Sequence, residues 1–116
     1  MRSLLRAIVL SGVPSTAWTV LTRGDVLAST RAAGTLLPGG RPSVARGLVA
    51  HVAISTFWWA VLRPLRGRPL AGAVAGLGIA AVDLGVVGRR VPAIQALAQP
   101  PQVADHAAFG ALAVWP

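Results

Sequence analysis

Cysteine, lysine and glutamate are all missing from this 116-residue chain. Without cysteine there can be no disulfide, no thiolate metal site and no cysteine nucleophile. Without lysine and glutamate, every basic residue is an arginine and every acid an aspartate, a pattern of GC-rich coding that points to a bacterial source. Charge is scarce as well: 12% of residues are charged, where a soluble domain carries about 25%. Sequence motifs for hydrolases and transferases are also lacking. There is no HExxH, no G-x-S-x-G, no P-loop and no G-x-G-x-x-G after a strand, and nothing around Ser11, Ser15 or Ser55 marks a nucleophile. The expectation is a non-enzyme with no cofactor and no bound metal.

What the chain does have is apolar bulk, with 54% hydrophobic residues and a mean hydropathy of +0.66. Lipid is the solvent this balance suits. The stretch Ser43 to Leu62 carries Arg46 near its start and one histidine, and otherwise only apolar, small or hydroxyl residues, and Leu70 to Gly88 carries the single charge Asp83. At about 1.5 Å per helical residue, each can cross a hydrocarbon core of about 30 Å. The sequence therefore predicts an all-α polytopic transmembrane bundle forming one domain over residues 1–116. Spans are expected near 4–22, 43–62 and 70–88. A short run at 103–115, about 20 Å long as a helix, is a doubtful fourth.

The net charge of +8 invites comparison with nucleic-acid binders. The eleven arginines, however, form no single patch; they fall at or between the apolar runs, where they suit anionic headgroups. Membrane lipid is the expected partner, and nucleic acid is not. With the N-terminus inside, five arginines fall inside and six outside. This gives no orientation bias and permits insertion in both senses. Trp18, Trp58 and Trp59, with Arg63, Arg66 and Arg68, are expected as interfacial anchors.

Between the runs lie shorter features. Pro14 should kink the first span, with Ser11, Ser15 and Thr16 at hand to satisfy the freed carbonyl. A secretory signal peptide is the rival reading there, with Ser15-Thr16-Ala17 as its cleavage site, although Trp18-Thr19-Val20-Leu21 continues the apolar run. Asp25 is a candidate N-cap for a short interfacial helix ending at Gly34 in the left-handed C′ position. Arg63 to Pro69 reads as a tight hairpin making the second and third spans antiparallel neighbours. Gly72, Gly76 and Ala80, in steps of four with Asp83 three further on, line one face of the third span and suit close helix packing. Val91 to Leu97 reads as a second interfacial piece ended by Pro100-Pro101.

Four ionisable residues fall in or beside the apolar runs: His51, Asp83, Asp105 and His106. His51 is about 17 Å from the Leu62 end of its span and Asp83 about 20 Å from Leu70, so the hairpin should bring them to similar depth. With Ser55 they are expected to form an intramembrane polar network in the half nearer Arg89. Its plain role is a hydrogen-bonded register device between helices. A sharper role is proton relay or solute binding, because burial disfavours charged forms and lets a carboxyl and an imidazole trade a proton. Haem ligation by His51 and His106 is a third reading, awkward in depth.

In length and span count the chain is similar to the small multidrug resistance transporters. That family relies on a glutamate in its first helix, which is missing here, so none of its residues is carried over. Pro14-Ser15-Thr16, Thr22-Arg23-Gly24-Asp25, Thr30-Arg31-Ala32-Ala33-Gly34 and Asp105-His106 resemble small multi-pass membrane proteins of actinobacteria, a group that implies a membrane location and no specific activity. The functional expectation is a non-catalytic accessory or structural subunit with a protein partner or self-association. The alternative is a small proton-coupled transporter or channel acting as a homo-oligomer.

Overall fold

Proline and a few polar side chains set where the helices begin. In the computed structural model, which describes residues 1–116, the chain forms α1 (Arg2–Leu10), α2 (Val13–Leu21), α3 (Ala28–Gly34), α4 (Val44–Val61), α5 (Pro69–Val82), α6 (Pro92–Gln95) and α7 (Gln99–Val114), with no strand. Ser43 caps α4 by accepting the Arg46 N–H at 3.2 Å. Prolines occupy the first turns of α2, α5, α6 and α7, where a missing N–H costs nothing. Past Val82, α5 loosens into a π-helical turn, Asp83–Val87, and a 3-10 turn, Gly88–Arg90. Three stretches are long and apolar enough to cross a membrane: Arg2–Leu21, Val44–Val61 and Pro69–Arg90. They mark a membrane protein by length and composition.

α7 is the hub of the bundle. It lies antiparallel along α5 and also packs on α1, α2 and α4. Only Pro100 and Ala104 of its residues are exposed, whereas α4 and α5 turn Val49, Phe57, Leu70 and Val74 outward. Phe109, Ala113 and Val114 join Ala7, Leu62 and Ile79 in the core. The helix that carries Gln102, Asp105 and His106 is thus the one most shielded by its neighbours.

Glycine sets the distance between α5 and α7. A methyl group at Gly72 would meet the Gly110 carbonyl, one at Gly76 the His106 carbonyl, and one at Gly110 the Gly72 carbonyl. The backbones touch there, as small residues at helix interfaces allow. Ala80 continues the same buried face. A similar approach joins α3 to α4, where Gly47 abuts the Thr30 carbonyl and Gly34 abuts Ser43.

Several expectations are corrected. The final helix starts at Gln99, four residues before the expected run, because Pro100 and Pro101 open it rather than close the preceding segment. The hairpin at Arg63–Arg68 exists, with a 3-10 turn and Gly67 at φ +83°, yet α4 and α5 are not principal packing partners. α5 lies along α7 instead, and the Gly67 N–H bonds to the Val114 carbonyl at 2.8 Å. Gly34 is not left-handed; it sits in the last turn of α3 so that α4 can approach. The helix after Asp25 begins only at Ala28. Asp25 accepts the Leu27 N–H at 2.9 Å and pairs with Arg31. Left-handed geometry falls on Arg23, at φ 56°, where the Gly24 N–H returns to the Thr19 carbonyl and closes α2.

Arg46 also departs from its expected place among the lipid-facing arginines. Its guanidinium donates to the carbonyls of Gly34, Arg41 and Pro38, stitching the α3–α4 connection to the first turn of α4.

Candidate functional site

The break between α1 and α2 creates the first element of the site. Pro14 has no N–H, and the first-turn amides of a new helix have no intrahelical acceptor. One of these donors, the Ser15 N–H, faces the bundle interior, and Asp105 of α7 accepts it through Oδ1 at 2.8 Å. The carboxylate thereby sits at the electropositive end of α2, where a helix favours negative charge. Ser15 Oγ donates to the Gly12 carbonyl at 3.3 Å, and Thr19 to the Ser15 carbonyl at 2.7 Å. Ser15 therefore contributes to the site through its backbone. The kink signal at Pro14 was visible in the sequence, but it was read as a carbonyl in need of a donor.

The second element is the pair Asp83 and His106. Asp83 opens the π-helical turn at the end of α5, and His106 projects from α7, with Nε2 3.3 Å from Asp83 Oδ2. The other ring nitrogen, Nδ1, lies 2.7 Å from the Gln102 carbonyl. A carbonyl can only accept, so Nδ1 carries hydrogen. The Nε2 contact is then a hydrogen bond only if one further proton is present. That proton sits either on Nε2, facing an ionised carboxylate, or on Asp83, facing a neutral imidazole. With that proton the contact is a charge-assisted hydrogen bond between the two side chains.

His51 does not join this pair. The expected His51–Asp83 partnership is replaced by a contact from His51 Nε2 to the Ile8 carbonyl at 3.1 Å, because α1 and not α5 packs beside α4. Ser55 is a buried residue on the same helix. His51, Ser55, Asp83, Asp105 and His106 nevertheless line one cavity of about 620 Å³. Ser11, Ser15 and Gln102 add polar groups to its wall, and Phe57, Trp58 and Phe109 add rings. Ser29, Thr30 and Ala33 of α3 and Ile94 of α6 also line it.

Every buried side-chain nitrogen and oxygen has a hydrogen-bond partner. Asp83 and Asp105 are both only partly buried. No three histidine or aspartate side chains converge as a metal-binding group. The other named residues sit apart from the cavity. Trp59 donates to Ser3 Oγ at 3.0 Å and lies under the Arg63 guanidinium, 5.8 Å from its ring centroid. Arg66 and Arg68 are exposed on the hairpin, and Trp18 is exposed on α2. No protein-family model, curated protein or solved structure matches the chain.

Proposed function

We propose that this chain is a multi-pass protein of the bacterial plasma membrane whose interior cavity takes up a small solute. In this reading the Asp83–His106 pair loads and releases a proton as the solute moves. The observation that supports it is the 3.3 Å contact between Asp83 Oδ2 and His106 Nε2 at the wall of the cavity. A purely structural pair needs no exposure, yet both aspartates are only partly buried and line the cavity. Discontinuous helices suit such a site, because a broken helix lends unpaired backbone groups to its interior.

The test is proton movement into proteoliposomes under an imposed pH gradient, read by a trapped pH-sensitive dye. Wild-type protein should dissipate the gradient faster than empty vesicles, and Asp83→Asn should return the rate to the empty-vesicle level. A wild-type rate equal to that of empty vesicles, or an unaffected variant, rejects the reading.

A second reading is favoured by one other observation. Gly78, Ala81 and Gly85 stand in steps of three and four on α5, and methyl groups at Gly78 and Gly85 would meet nothing within 4 Å. An open face of small residues suits a partner helix, as in an accessory or structural subunit. Native mass spectrometry in mild detergent separates the two. A heteromeric assembly supports the subunit, and a monomer or homo-oligomer supports the transporter.

A further inference from the structure

The cavity's charge is opposite to that of the chain. Eleven arginines give the protein a net charge of +8, yet none of them lines the chamber. Of the three aspartates, Asp25 is engaged by Arg31 outside, and both of the others are in the cavity wall. Neither meets a permanent cation there. Asp105 is held by a backbone N–H, and Asp83 by an imidazole whose charge comes and goes with one proton. In a low-dielectric interior, carboxylates without a fixed counter-charge favour a mobile one.

The remaining wall fits the rest of such a ligand. Phe57, Trp58 and Phe109 line the same cavity, and aromatic faces attract cations as well as apolar bodies. A volume of about 620 Å³ exceeds what a bare metal ion or ammonium requires and suits an organic molecule. We infer that the cavity binds an organic monocation, a protonated amine on an apolar or aromatic body, between the carboxylates of Asp83 and Asp105. This rests on the solute-cavity reading above and specifies the ligand's charge.

Three probes of matched shape and different charge test it: 3-phenylpropylammonium, 3-phenylpropanol and 3-phenylpropionate. Binding to the full chain in detergent micelles is measured by calorimetry against protein-free micelles. The ammonium should bind at least about tenfold more tightly than the alcohol, and the carboxylate not above the blank. Asp83→Asn and Asp105→Asn should each weaken the ammonium about tenfold and leave the alcohol unchanged, while Asp25→Asn changes neither. If a cavity variant loses its helical circular dichroism, the wild-type ranking of the three probes decides the matter alone. Equal binding of ammonium and alcohol, or preference for the carboxylate, overturns the cation assignment and leaves a solute cavity standing. Absence of binding by all three overturns both.

Discussion

Asp105 caps a helix to which it does not belong: its Oδ1 accepts the Ser15 N–H at 2.8 Å, 90 residues back along the chain. A hydrogen bond to an ionised acceptor contributes about 1.5–3 kcal/mol, and its loss leaves the amide without an acceptor. Asp105→Ala should therefore lower unfolding stability in detergent by about 1–2 kcal/mol. Asp105→Asn, which keeps an oxygen at the same place, should lose less than half as much. Equal losses for the two variants would show that charge and not the cap matters.

Glycine at the α5–α7 contact is irreplaceable where the backbones touch. Gly76→Ala should force α5 and α7 apart and cost about 1–3 kcal/mol. Gly78→Ala, two residues along the same helix, meets open space and should be neutral or stabilising by up to about 1 kcal/mol through helix propensity. Thermal unfolding of the two variants side by side checks the contrast.

The Asp83–His106 contact gives a spectroscopic prediction. With Nδ1–H committed to the Gln102 carbonyl, His106 in Asp83→Asn should become a neutral Nδ1–H imidazole, since an amide has no acidic proton to share. Nitrogen-15 spectra of histidine-labelled protein at neutral pH should show the His106 Nε2 resonance moving to the position of an unprotonated nitrogen, with His51 unmoved. An identical spectrum in wild type and variant overturns an Nε2-protonated imidazolium at His106 in the wild type.

Arg46 bonds three carbonyls of the α3–α4 connection. Arg46→Lys offers one flexible ammonium in place of a planar fork and cannot hold all three. Amide hydrogen exchange over residues 35–43 should quicken by about tenfold, while α5 and α7 are unaffected. Exchange unchanged in that segment would show the guanidinium to be incidental.

Much of the outline was legible because it rests on local chemistry. The start of α4 follows from a serine cap before an apolar run, and the packing face of α5 from Gly72 and Gly76 in a step of four. What escaped depends on which helices become neighbours. A hairpin between Val61 and Pro69 suggests adjacency, but the backbone contact at Gly110 draws α5 to α7, so His51 meets Ile8 instead of Asp83. Pro100-Pro101 reads equally well as the end of one element or the beginning of another. The shortness of the run at 103–115 argued against a full place in the bundle, yet with Gln99 to Gln102 added α7 reaches 16 residues and packs along α5.

The central place of α7 also bears on how the bundle is made. Chain growth delivers α1 to α5 first, and until α7 follows, the touching faces at Gly72 and Gly76 and the Ser15 N–H have nothing to meet. The helix around which the others arrange themselves is synthesised after them. The α5–α7 and α2–α7 contacts can therefore form only once α7 has been made.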